Sequence, residues 1–456
     1  MTGSMATTLA LADFAATLEY DEIPTSVALL AKKCLLDCLG VALAASGGDD
    51  QCRMLHDVFS SDAGPCLVFG YGGRLSPPSA ALVNGALVHA LNYDPIGEKA
   101  GHLGVACLAA PYALGETTEA SGKDLITSAV VACEVSARVT AAIVAAGRRP
   151  SEKFLSGQML SYFGAAAGAA RILRLDPTGM QSALGLALMQ MSGSRQLSLA
   201  TGAPAKSVYG AFPSQAGVTS ALLAKGGLDA CCDIFGEPAG LFSAIYGGGI
   251  DVAPISAELK QTYCLTDVSI KPWPSSNQTF PHIEAAVSAR RQISDPKDIE
   301  EIEIIASPKV ANWCEPFASK RNPPNAAAAA NSIPFCVAST LARGAFDLDS
   351  FEDVGNQESL THKLLGLVRY TQGQTSDVAQ IRIRMSNGGE VSTQAQRSPP
   401  DTPIEDAALL AKFMNCGSRS FAPISDGALR ELASMILDLE NVASIGAISR
   451  LMEDGQ

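Results

Sequence analysis

The stretch His89-Ala90-Leu91-Asn92-Tyr93-Asp94-Pro95-Ile96-Gly97-Glu98-Lys99-Ala100-Gly101-His102 gathers ionisable side chains around loop-forming residues. Pro95, Gly97 and Gly101 favour a loop that holds Asp94, Glu98, Lys99 and His102 close together. A helix is expected to end near Tyr93 and another to begin at Leu103. One Asp and one His on a short loop can move a proton, because imidazole exchanges one near neutral pH and a carboxylate can orient the ring. The plain alternative is a solvated loop in which Asp94 caps a turn, and the spacing alone favours that alternative.

Two lysines stand in comparable settings. Lys206 lies in Gly202-Ala203-Pro204-Ala205-Lys206-Ser207-Val208-Tyr209-Gly210, just before an Ala/Leu-rich helix. An ammonium beside a helix N-terminus makes a carboxylate site, since both attract anions; otherwise Lys206 is an ordinary surface lysine. Lys271 ends a strand-like run and is followed by Pro272-Trp273-Pro274-Ser275-Ser276-Asn277. A rigid polar site and a proline-rich connector are evenly balanced there.

Other chemistries lack their patterns. There is no GxxxxGK[ST], no GxGxxG after a strand, no GxSxG and no HExxH, and Gly247-Gly248-Gly249 is only a loop signal. The five histidines, His56, His89, His102, His282 and His362, are not at zinc-finger spacing from cysteine. The 12 cysteines include no CxxC pair, only Cys34/Cys38 and Cys231/Cys232 as near neighbours, which fits reduced thiols of a cytosolic protein. We therefore expect no metal and no organic cofactor. A formal charge of -13 disfavours nucleic acid and anionic membranes as partners. Met1 to Tyr20 carries Asp13 and Glu19 but no Lys or Arg, unlike a secretory or transit segment. No uninterrupted apolar run reaches membrane-spanning length. A cytoplasmic location is expected.

The elements that must position these residues change character along the chain. Ala6–Leu18, Pro24–Ala45, Pro78–Leu91, Lys123–Ala146, Gly164–Leu173, Pro177–Met191 and Pro213–Lys225 read as Ala/Leu-rich helices. Near residue 262 the texture turns β-branched and alternating, in Val268–Lys271, Ile299–Ala306 and Val378–Met385, with helices over Pro281–Gln292 and Ser332–Arg343. A turn-rich segment runs from Gly388 to Pro403, and Ile404–Met452 is helical again. The fold class expected is mainly α: a large all-helical domain, residues 1–262 plus 403–456, with an inserted smaller α+β domain, 263–402, acting as a lid.

Taken together these segments resemble the MmgE/PrpD family, that of 2-methylcitrate dehydratase and cis-aconitate decarboxylase. The resemblance rests on His89–His102, on Glu119-Ala120-Ser121-Gly122-Lys123-Asp124-Leu125 with Glu134-Val135, on Phe163–Leu184, on Lys206–Leu223, on Lys271-Pro272-Trp273-Pro274-Ser275, and more weakly on Ser332–Ala338. It implies a helical domain with an α+β lid, a homodimer, and a cofactor-independent lyase, a decarboxylase or dehydratase acting on a small carboxylate. It also implies catalytic roles for His102, Asp94, Lys206 and Lys271, and substrate contacts by Tyr93, Tyr209, Ser275 and His282. Four positions depart from the family pattern towards apolar side chains: Ile96, Leu155, Phe280 and Phe335. They suggest a substrate less polar than cis-aconitate or 2-methylcitrate. The alternatives are an isomerase, epimerase or cyclisation enzyme using the same acid/base site, or a binding protein with a decayed site.

Overall fold

Small side chains set how closely the helices of the first half approach. A Cβ on Gly85 would collide with Ser214 Oγ and Gly210 O, one on Gly164 with Ser136 and Ala132, and one on Gly217 with Ala165. These contacts draw together helices Pro77–Ala90, Gly122–Ala145, Ser156–Ile172 and Ala211–Lys225. The third of them begins well before the expected Gly164. In this computed structural model residues 3–97, 101–102, 104–148, 153–199, 202–374, 377–396 and 404–455 are described.

The chain is mainly α-helical, and its contacts divide it into two units. The first comprises Met1–Leu197, Ser207–Ile270 and Pro403–Gln456, the second Ser198–Lys206 and Lys271–Thr402. The division falls at Ile270, later than the change of texture near 262. The reason is a buried ion pair in helix Gly122–Ala145. Arg138 Nε meets Glu134 Oε2 at 3.0 Å, while its Nη1 and Nη2 donate to Ala257 O at 2.7 Å and Thr262 O at 2.6 Å. Glu134 Oε1 accepts from Leu265 N at 3.0 Å, which holds the approach to Ile270 on the helical unit. This helix has the length and apolar composition of a membrane span, yet most of it is buried. It opens with a reciprocal cap, Asp124 N to Ser121 Oγ and Ser121 N to Asp124 Oδ2.

The first unit also holds two small sheets. Strands β1 (Ala63–Leu67) and β2 (Arg74–Leu75) form a hairpin without a signal in the periodicity. Strands β3 (Ile96–Gly97), β4 (Gly101–His102) and β5 (Val268–Ser269) form an antiparallel sheet in the order β4-β3-β5. The last helices, Asp406–Gly417, Asp426–Leu437 and Gly446–Asp454, complete this unit.

The second unit contains a four-stranded sheet in the order β7-β6-β8-β9, with β6 Ile299–Ala306, β7 Val368–Gln372, β8 Val378–Met385 and β9 Glu390–Gln396. Strands β6 and β7 run parallel and the other pairs antiparallel. The alternation in β6 is realised: Ile302 and Ile304 are buried, while Glu301 meets Arg369 and Arg384 and Glu303 meets Arg382 on the other face. Strand β9 lies within the segment 388–403 that reads as turn-rich. It is an edge strand whose inward residues, Val391, Thr393 and Ala395, are merely half-buried, so its alternation is weakly apolar. Thr393 Oγ1 donates to Ala285 O at 2.8 Å, tying the strand to helix Phe280–Arg290.

Candidate active site

Helix Pro77–Ala90 stops short of Tyr93. Asn92 adopts a left-handed φ of 51°, and its N–H donates to His89 O at 2.8 Å. Asn accepts this conformation better than most residues. The turn brings Asp94 beside His89, the residue on the last turn of the helix. The chain then enters β3, and the antiparallel register sets Ile96 opposite His102. Glu98, Lys99 and Leu103 lie outside the described residues.

The result is one buried carboxylate between two imidazoles. Asp94 is wholly buried. Its Oδ1 and Oδ2 lie 3.1 and 3.0 Å from His102 Nδ1, and Oδ1 lies 3.2 Å from His89 Nδ1. The His89 ring stands edge-on to His102 at 4.5 Å and tilts against Tyr209 at 4.0 Å. Burial works to raise the Asp94 carboxyl, but the charge and hydrogen bonds of His102 and His89 outweigh it and hold the group well below the usual carboxylate range. Burial, and then Asp94, push the Tyr209 hydroxyl up. The side chain of His102 keeps 20% exposure against 5% for His89, so His102 is the imidazole a ligand can reach. With Nδ1 engaged by Asp94, Nε2 is its working nitrogen.

Around this group the packing is close. A Cβ on Gly157 would lie 3.3 Å from Tyr209 Oη and 3.5 Å from His102 Cβ, so the first turn of helix Ser156–Ile172 abuts His102. Leu155, half-buried, precedes that helix and donates its N–H to Gly193 O at 2.7 Å. Behind Tyr93, Lys412 Nζ donates to Tyr93 O at 2.9 Å, stands 3.7 Å from the Tyr93 ring centre and meets Asp37 Oδ1 at 2.7 Å. Sequence reasoning missed three members of this constellation. His89 was in the right motif but reads as the apolar end of a helix, and Lys412 and Asp37 sit in helices whose patterns give no sign of a pair.

Among the described residues, His89, Asp94 and His102 are also disposed to hold a metal ion, with donor atoms within 4.8 Å of one another. Two imidazoles and a carboxylate suit zinc or iron. An ion there would compete with the two imidazoles for the Asp94 carboxylate.

The remaining candidates belong to the second unit. Lys206 lies half-buried in the turn Pro204–Lys206; burial lowers its ammonium and the charge of Lys320 lowers it further. Lys271 is buried. Ser275 is buried and its hydroxyl lies 2.8 Å from that of Thr279, which makes it part of the turn's own bonding. Phe280 packs edge-on against Trp273, their rings 5.4 Å apart. Phe335 is 1% exposed and clusters with Phe346 and Phe351, because the apolar face of helix Ile333–Arg343 turns inward.

His282 is also buried, among the described residues neither ring nitrogen has a hydrogen-bond partner, and burial pushes its pKa down to about 4. In the unfolded chain the imidazole titrates near ~6.5. Between these values the unfolded chain binds the proton and the folded one does not, so stability is lost as pH falls through that window, by roughly 3 kcal/mol in all. His282→Phe is expected to flatten this slope in urea unfolding followed between about pH 7 and about pH 4. An unchanged slope would show that other groups carry it.

Comparison with known proteins adds an independent observation. The MmgE/PrpD N-terminal domain profile matches residues 9–252 and the MmgE/PrpD C-terminal domain profile residues 273–436. The chain is 24% identical to the cis-aconitate decarboxylase-like protein oryM of Aspergillus oryzae, over 98% of this chain and 97% of that protein. It is 30% identical to cis-aconitate decarboxylase of Aspergillus terreus over 52% of this chain and 49% of that one. It is 24% identical to the Mus musculus cis-aconitate decarboxylase over 96% and 91%.

Proposed function

Because the chain belongs to the MmgE/PrpD family, we propose that it is a lyase releasing carbon dioxide or water from a carboxylate-bearing small molecule. The observation that carries this reading is the buried Asp94 carboxylate set against two imidazoles, one of them reachable. In a decarboxylation the bond to the carboxylate carbon breaks, carbon dioxide leaves, and the electron pair stays on the adjacent carbon. His102 Nε2–H then protonates that carbon, while Asp94 holds the ring and stabilises its charged form. In a dehydration the neutral Nε2 removes the proton next to a carboxylate, the carbon–oxygen bond to the hydroxyl breaks as the double bond forms, and the imidazolium returns the proton to the departing hydroxyl, which leaves as water. Lys206 and Lys271 are kept as carboxylate-binding cations. The relatives are named for cis-aconitate, but the apolar Ile96, paired with His102, and Leu155, near Gly157, favour a less polar acid.

The test is a panel of unsaturated and hydroxylated mono-, di- and tricarboxylic acids incubated with the protein in D2O and followed by NMR. We expect one less polar acid to lose carbon dioxide or water with deuterium entering at the reacting carbon. Turnover of cis-aconitate or 2-methylcitrate is expected below about 1 per second. Deuterium exchange with the carbon skeleton and hydroxyl groups intact would refute the lyase reading in favour of isomerisation.

A further inference from the structure

Two lysines of the second unit, Lys206 and Lys320, form no ion pair with a carboxylate among the described residues. Asn325 ties their segments together: its Nδ2 donates to Gly202 O at 2.7 Å, while its Oδ1 accepts from Ala328 N at 3.0 Å. Gly202 adopts a φ of 71° and a Cβ there would press on Pro324, so the turn Pro204–Lys206 is held against the segment that follows Lys320. Lys320 is fixed at both ends. Its carbonyl accepts from Ser332 Oγ at 2.5 Å, and its ammonium donates to Asn331 O at 2.8 Å. Both lysines are half-buried, and among the described residues neither ammonium meets a carboxylate. Lys206 feels the charge of Lys320, and burial lowers both ammonium groups.

The buried lysines of the other unit are arranged differently. Lys32 has Glu440 at 2.6 Å and Lys412 has Asp37 at 2.7 Å. Two part-buried cations brought together without a counter-charge oppose folding, since each lost water and gained a like neighbour. An anion supplied from solution relieves both costs.

We propose that Lys320 and Lys206 form a two-lysine anion site in the second unit that takes a carboxylate. The idea deepens the lyase reading, on which it rests for the class of ligand, and makes Lys320 a binding residue that motif reasoning does not single out. One ammonium is already oriented by Asn331 O, leaving two of its N–H donors for an anion, and Lys206 offers three.

The experiment is isothermal titration calorimetry on the full chain at constant ionic strength, with citraconate and crotonate as probes. Lys320→Met is expected to weaken citraconate binding about 10- to 100-fold, the equivalent of one charge-assisted hydrogen bond. Lys206→Met is expected to do the same, and the double variant little more than either, since the two act as a unit. Lys320→Arg keeps the charge and should retain most of the binding, which separates a ligand role from a folding defect. Wild-type affinity in Lys320→Met, or no binding of either acid by the wild type, would overturn the proposal. Because binding is read without turnover, a wild type that binds through Lys320 yet releases neither carbon dioxide nor water from any acid would refute the lyase reading and leave the anion site standing.

Discussion

Asp94→Asn is expected to lower kcat by about 10²- to 10⁴-fold while the protein stays folded. Asparagine fills the same buried space, so packing is kept. The charge that holds two imidazoles is lost. The new amide also presents a donor where only acceptors stood, and one of the two Nδ1 atoms loses its partner. His102 can then adopt the wrong tautomer, with Nε2 unable to play its part. His102→Ala should cost a similar factor. His89→Gln should cost less, since His89 is the less reachable ring, with 5% side-chain exposure against 20% for His102. Steady-state kinetics on the acid found by the NMR panel would decide, with circular dichroism and melting temperature as controls. Activity within threefold of wild type in Asp94→Asn, roughly 0.7 kcal/mol in barrier, would remove the buried carboxylate from the mechanism.

Lys412→Met is expected to destabilise the fold by about 3–5 kcal/mol. Asp37 is buried, and its charge is balanced there by Lys412 at 2.7 Å. Removing the ammonium takes the cation at 2.7 Å away from a carboxylate buried in the core of the helical unit. It also takes away the donor to Tyr93 O and the cation over the Tyr93 ring, which together anchor the residue next to Asp94. Pairing the change with Asp37→Leu should recover most of the stability, because the buried carboxylate is removed together with its cation. It should not recover full kcat, because Tyr93 O still lacks its donor. Urea unfolding and kinetics on the single and double variants separate these effects. Equal stability of Lys412→Met and wild type would show that water reaches Asp37 and replaces the pair.

Several parts of this molecule were legible in its residues because their causes are local. Helical periodicity depends on neighbours a turn away, and the Ala/Leu-rich segments of the first half are helices. Strand β6 declared itself through Ile302 and Ile304 alternating with Glu301 and Glu303. The closeness of Asp94 and His102 was legible for the same reason: they stand eight residues apart around loop-forming residues, so their meeting needs no distant partner.

What tertiary structure decided is everything whose partner lies far along the chain. His89 sits in an apolar helical pattern, and only the reversal at Asn92 turns its ring towards Asp94. Phe335 is buried because its place on helix Ile333–Arg343 is settled by Phe346 and Phe351. Strand β9 is too polar to announce itself and exists because β8 offers it a row of hydrogen-bonding groups. Lys412 and Lys320 are, as residues, indistinguishable from surface lysines. One becomes an anchor because Asp37 and Tyr93 surround it, the other a candidate anion ligand because Asn325 draws Lys206 towards it. A lysine's charge is set by its type, but its role is set by which charges and carbonyls the fold places around it.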